Sequence, residues 1–226
     1  LEKQMVDRAE TMARDPRHPV PESALSAANQ THALSDEQTR AVAHITRESG
    51  ALACVQGHAG TGKSYLLEAA RETWQSAGYS VRGAALSGKA AEGLEKSSTI
   101  PSQTLHSLLR DLEQGHTTLD SRTVLVVDEA GMVGSRQMAA LVEHAQGAGA
   151  KLVLVGDTRQ LQAIDAGAAF RAIQDRVGGV ELIDVRRQQY QADREMAKAF
   201  RDGRAADALQ NLNDRGLLHV EKTTEQ

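Results

Sequence analysis

Read for hydrophobic spacing alone, the chain changes character along its length. Over residues 1–14, Leu1, Met5, Ala9 and Met12 recur at helical spacing, and the run stops at "DPRHPVP", where Pro16, Pro19 and Pro21 hold the backbone extended. Residues 1–30 therefore read as a helical arm with a stiff linker. A second helix begins in "LSDEQTRAVAHI". There Ser35 followed three residues later by Gln38 has the form of a capping box, and Ala41, Val42 and Ile45 give a modest apolar face.

From residue 51 onward, continuous apolar runs of strand length alternate with stretches long enough for helices. The runs are "ALACVQ" (51–56), "SVRGAAL" (80–86), "TVLVVD" (123–128), "KLVLVGD" (151–157) and "VELIDV" (180–185). A strand that is apolar at successive positions is buried on both faces, so the alternation predicts an α/β fold, a mostly parallel sheet with helices on both sides. Between residues 87 and 121, "GKAAEGLEKSST" and "TLHSLLRDLEQG" predict two short helices joined by a loop. The last segment, "QYQADREMAKAFRDGRAADALQNLNDRGLLHVEKTTEQ", reads as two helices and a final strand.

Composition narrows the class. With 25% charged and 40% hydrophobic residues in 226, the chain has an average globular mixture, which excludes a disordered or collagen-like protein. Lys plus Arg number 26 against 30 Asp plus Glu, so a nucleic-acid groove, if present, is local rather than a property of the whole surface. Cys54 is the single cysteine, which excludes an intrachain disulfide and a cysteine-rich zinc site. Without a signal-peptide apolar core or a run of about 18 apolar residues, the expected location is cytoplasmic, with no membrane partner. Residue 1 is Leu within a segment that already reads as mid-helix, as expected of a piece of a longer polypeptide.

The chemistry lies at the ends of the predicted strands. "GHAGTGKS", residues 57–64, fits G-x-x-x-x-G-K-[ST] directly after a strand and before a helix, the context of a phosphate loop. Gly57, Gly60 and Gly62 let the backbone turn its N–H groups toward phosphate oxygens, with Ala59 and Thr61 completing the cradle and the helix start adding partial positive charge. Lys63 then suits the β- and γ-phosphates of ATP, and the Ser64 hydroxyl suits Mg²⁺. "TVLVVDEAG" ends in adjacent carboxylates, where Asp128 suits the metal and Glu129 suits a base that polarises the attacking water. "LVLVGDTRQLQAI" delivers Asp157 and, three residues on, Gln160, which can reach a γ-phosphate or its water. "VRRQQ" offers Arg186 and Arg187, of which strand alternation points one at the site. Ligands in open α/β sheets sit outside the carboxyl ends of the strands, where all these residues fall.

Taken in order, "LSDEQ", "GHAGTGKS", "ALSGKAAEGL", "TLHSLL", "VVDEAGMV", "GDTRQLQAI" and "LIDVRRQ" resemble the ordered motifs of superfamily 1 DNA helicases of the RecD-like branch. The wording of "DEAGMVGSRQM" and "VGDTRQLQAIDAGAAFRAI" is similar to the helicase part of TraA-type (TraI-like) conjugative relaxases. The resemblance covers about residues 34–190. It implies a RecA-like P-loop NTPase fold that uses ATP and Mg²⁺ on single-stranded DNA. By the same resemblance Gln38 hydrogen-bonds the adenine, Gln160 senses the γ-phosphate, Leu182 sets the register that selects Arg187, and Ser87, Lys89, Thr104 and His106 fall on the single-strand track.

The resemblance also implies a division of the chain. Residues 31–190 correspond to the first RecA-like motor domain, and residues 191–226 lead toward a second motor domain that this chain lacks, with a relaxase domain elsewhere in the same polypeptide. The competing reading is a non-catalytic single-strand-binding or docking module that keeps the helicase fold. Low aromatic content, 3%, counts against it because few rings remain for base stacking. A stand-alone kinase-like P-loop enzyme is the third reading.

Overall fold

The computed structural model describes residues 1–57, 61–157 and 168–183, with a few further positions between 199 and 210. By backbone contacts the chain divides into one unit of Leu1–His58 with Lys63–Ile183 and a second of Ala59–Gly62 with Asp184–Gln226. The helices and strand expected after Gln188 fall almost entirely outside the described residues.

The first unit is built on a parallel sheet of β1 (Leu52–Gly57), β2 (Ser80–Ala85), β3 (Ser102–Thr104), β4 (Thr123–Val127), β5 (Lys151–Gly156) and β6 (Val180–Leu182). Their order across the sheet is β3-β2-β4-β5-β1-β6, and every neighbouring pair is parallel. All five expected strands form, and β3 is an addition: its residues Ser102, Gln103 and Thr104 are polar and half-buried, so no apolar run announces it. The helices are α1 (Glu2–Ala13), α2 (Glu22–Thr31), α3 (Asp36–Ala43), α4 (Lys63–Ser76), α5 (Gly88–Ser98), α6 (Leu105–Glu113), α7 (Ser135–Ala148) and α8 (Ala168–Val177).

Alternation along the strands sorts the core into two layers. Leu52, Cys54, Leu125, Val127, Leu152 and Leu154 face α1, α6, α7 and α8. Their neighbours Ala53, Val55, Val124, Val126, Val153 and Val155 face the other way, toward α3, α4, α5 and the buried Trp74. Continuous apolar strands are thus the signature of two covered faces, as expected.

Residues 1–30, expected as a helical arm and linker, pack against the sheet. Met5, Ala9 and Met12 are buried in the first layer, where α1 packs on α7 and α8, and Arg8–Glu143 (3.0 Å) and Arg176–Glu10 (2.7 Å) flank the contact. The proline segment carries the chain past the amino-terminal edge of the sheet, with buried His18 bonded through Nε2 to the Gly149 carbonyl at 3.0 Å. On the far face Val20 and Leu25 join the second layer. An apolar helical stripe looks the same in sequence whether it meets its own domain or a partner.

Near the same edge Lys151, fully buried, donates from Nζ to the Ser49 carbonyl at 3.2 Å, to Ser49 Oγ at 3.1 Å and to the Gly50 carbonyl. Burial pushes its ammonium down to about 7.

Candidate nucleotide site

The site grows from three neighbouring strand ends. β1 finishes at Gly57 and α4 starts at Lys63. Between them, Gly62 has φ 81°, a left-handed conformation that glycine adopts without steric penalty, and Thr61 is buried. His58, Ala59 and Gly60 lie outside the described residues. Lys63 Nζ turns back and donates to the Gly57 carbonyl at 2.5 Å. Burial lowers the pKa of this ammonium, while the charges of Asp128, Asp157 and Glu129 act in the opposite direction. Ser64, the next residue of α4, is exposed.

At the end of β4, Asp128 N donates to the Ala84 carbonyl at 2.9 Å, carrying the pairing with β2 one residue past the strand. The chain then turns sharply, since Glu129 sits at φ 56° and ψ 31°, a left-handed conformation that costs a side-chain-bearing residue roughly 1–2 kcal/mol. Asp128 Oδ1 accepts the Glu129 N–H at 2.9 Å. Burial holds the Asp128 carboxyl above the usual carboxylate range, with the Glu129 N–H and Lys63 opposing. Glu129 is raised too, by burial and then by the adjacent Asp128 charge, with Lys63 again opposing.

Strand order places β5 between β4 and β1, so Asp157 emerges between the carboxylate pair and the end of β1. Two glycines allow the approach. A Cβ on Gly131 would stand 2.8 Å from the Asp157 carbonyl oxygen, and one on Gly156 would stand 2.8 Å from the Gly131 nitrogen. The result is one half-buried ammonium under the influence of three carboxylates at the carboxyl ends of adjacent parallel strands.

Other expected residues fall into separate groups. Gln38 is buried at the start of α3 and makes both halves of the expected capping box: its N–H donates to Ser35 Oγ (3.1 Å) and its Oε1 accepts from Ser35 N (3.2 Å). Ser87 and Thr104 cap α5 and α6, accepting from Ala90 N at 3.1 Å and Ser107 N at 3.2 Å. Lys89 and His106 stand exposed beside them. Pairing of Ala85 with Thr104 puts both helix starts on the same rim of the sheet as the end of β1. Gln160 and Arg187 lie outside the described residues. Asp157 was legible in sequence as a residue at a strand end; its charge acting on Lys63 is what the fold adds.

A protein family described as AAA domain matches residues 33–223. The chain belongs to that family. Within it, the similarity runs to the RecD-like helicase domains and TraA-type proteins, in keeping with the ordered motifs. The probable conjugal transfer protein TraA of Sinorhizobium fredii is 53% identical over 192 residues, covering 84% of this chain and 17% of that protein. The ATP-dependent RecD2 DNA helicase of Deinococcus radiodurans is 35% identical over 159 residues, covering 69% of this chain and 22% of that protein. The crystal structure of the Pif1 helicase from Candida albicans superposes with a TM-score of 0.53 at 22% identity, over 75% of this chain and 44% of that one. That likeness is one of fold, the RecA-like α/β P-loop architecture. The chain spans about a fifth of the length of these two curated relatives.

Proposed function

We propose that this chain is the ATP-binding first motor domain of a cytoplasmic conjugative-transfer relaxase/helicase. In the full polypeptide it couples ATP hydrolysis to translocation on single-stranded DNA and to duplex unwinding. The observation that carries the reading is the strand order, which sets Lys63 and the exposed Ser64 at the helix start after β1 while Asp157 and the Asp128–Glu129 pair follow the ends of the next strands across, β5 and β4.

The donor set fits a hard divalent cation. One ammonium does not balance three carboxylates and an incoming triphosphate, and a hydroxyl with a carboxylate are oxygen ligands of the kind Mg²⁺ takes. Ser64 and Asp128 would hold it. When bound, Mg²⁺ neutralises phosphate charge. Lys63 exchanges the Gly57 carbonyl for phosphate oxygens, while the backbone of residues 57–62 and the start of α4 supply N–H donors. Glu129, with its proton affinity raised by burial, accepts the proton of the attacking water. Gln160 orients that water and senses the γ-phosphate, and Arg187 pairs with its oxygens. Gln38 reads the adenine. Ser87, Lys89, Thr104 and His106 line the DNA track on the same rim.

Residues 31–190 form the motor domain in this reading, and the second motor domain and relaxase domain of the same polypeptide are its covalent partners. A second-domain arginine is worth about 10³-fold or more in related phosphoryl transfer, so the chain by itself binds nucleotide and hydrolyses it slowly. No helix among the described residues is long and apolar enough to cross a membrane. Titration of ATP against the chain and its Lys63→Ala variant tests the reading. The variant is expected to lose most of its affinity, and unchanged affinity would overturn the phosphate-loop assignment.

A further inference from the structure

The short connection between α2 and α3 is fastened to the phosphate-loop helix. Tyr65 and Glu72 lie two turns apart on one face of α4, and the buried His32 reaches both. Its Nε2 is 2.8 Å from Glu72 Oε2, and its ring meets the Tyr65 ring edge-on at 5.3 Å between centroids. One residue on, Ala33 N donates to the Tyr65 hydroxyl at 3.1 Å. Ser35 then starts α3, and Gln38 closes the capping box. A second fastening comes from the sheet: Glu37 Oε1 accepts the N–H of Ile183, the residue after β6, at 2.7 Å. Helix α3 packs on both α4 and β6.

These bonds join three parts that the nucleotide reading uses separately. Tyr65 directly follows Lys63 and Ser64, Glu37 directly precedes Gln38, and Ile183 leads into the segment carrying Arg187. Simple helix docking does not require the link: an Ala33 N–H at an exposed turn could bond water instead, and the Tyr65 ring, 38% exposed, is not a core residue. The hydroxyl ties the start of α4 to the turn that leads into α3 and Gln38.

We propose that Tyr65 and Glu37 are positioning residues for the nucleotide base, holding Gln38 at a set distance from Lys63 and Ser64 at the start of α4 through the Ala33–Tyr65 and Ile183–Glu37 hydrogen bonds. This rests on the reading of the site as an ATP site. It adds that selectivity for ATP over a triphosphate without a base depends on residues that touch neither base nor phosphate.

Calorimetric titration with Mg-ATP and with Mg-inorganic triphosphate tests it on the whole chain and on Tyr65→Phe, Glu37→Ala and Glu37→Gln. A single net hydrogen bond corresponds to about 2- to 12-fold in affinity, so Tyr65→Phe and Glu37→Ala are expected to weaken ATP several-fold while leaving inorganic triphosphate unchanged. Glu37→Gln, whose amide oxygen still accepts from Ile183 N, is expected to restore part of the loss. Equal losses for both ligands, or no loss for ATP, would overturn the proposal, and thermal melts of each variant identify a loss that comes from misfolding. An unsubstituted chain that binds neither ligand would instead overturn the nucleotide reading. One that binds both equally keeps that reading and rejects this one.

Discussion

Gly131 and Asp157 are pressed together across two loops: a Cβ at position 131 would stand 2.8 Å from the Asp157 carbonyl oxygen. The contact locks the turn that follows Asp128 and Glu129 to the end of the neighbouring strand. Backbone cannot swing away as a flexible side chain can, so Gly131→Ala must displace one loop or the other. We expect a loss of about 1–3 kcal/mol in urea unfolding, as for other overpacked sites, together with reduced ATP hydrolysis. A variant of unchanged stability would show that the loops separate freely.

Glu129 holds a left-handed backbone conformation, φ 56°, that suits glycine better than glutamate. The fold therefore bears strain at the proposed base. Glu129→Gly should be more stable than Glu129→Ala by about 1 kcal/mol, because only glycine escapes the Cβ clash. Both variants should still bind ATP and should hydrolyse it at least about 10²-fold more slowly, as expected when a general base is removed. Paired chemical unfolding and single-turnover hydrolysis separate the two effects, and retained hydrolysis in either variant would remove Glu129 from the mechanism.

Burial raises the Asp128 carboxyl above its ordinary range, and burial followed by the Asp128 charge does the same for Glu129. A carboxyl whose folded pKa exceeds its unfolded value favours the fold below the unfolded value, about 4, and that contribution is lost as pH rises through the folded pKa. Above the folded pKa values the charged carboxylates stand in the fold at a cost. Asp128→Asn keeps an acceptor for the Glu129 N–H and removes one charge. It should raise the melting temperature at pH 7, by about 2–4 °C for each kcal/mol recovered, and the gain should shrink near pH 4 as the natural carboxyl protonates. Hydrolysis should be lost at the same time. A lower melting temperature at pH 7 would mean that the Asp128 charge is needed to hold Lys63.

Met5 is buried in the same layer as Leu125 and Leu154. Met5→Ala should cost about 2–5 kcal/mol in equilibrium unfolding, whereas an arm that stood away from the domain would lose almost nothing. Leu1, 64% exposed, provides the control, with Leu1→Ala expected to stay within about 0.5 kcal/mol of the natural chain.

The amino-acid sequence by itself determined the local elements and the chemistry at their ends. Strands apolar at successive positions can be buried only on both sides, so the covered parallel sheet followed from the runs at 51–56, 80–86, 123–128, 151–157 and 180–185. The Ser35–Gln38 capping box formed as its spacing required, because both of its hydrogen bonds lie within one turn of chain. The places of Lys63, Asp128 and Glu129 beside strand ends were legible for a similar reason, since each lies within a few residues of an apolar run. What only the tertiary structure decided was adjacency. Insertion of β5 between β4 and β1 brought the Asp157 charge to bear on Lys63, and no periodicity encodes which strands become neighbours across long connections. The polar β3 was invisible because an edge strand needs hydrogen-bond partners rather than apolar residues. The stripe of Met5, Ala9 and Met12 specified a buried face but not what would bury it, and Tyr65 carried no sequence signal because its role arises from an Ala33 amide 32 residues away. Short-range hydrogen bonds and side-chain alternation are written along the chain, whereas long-range contacts depend on the loop closures and packing of the whole domain.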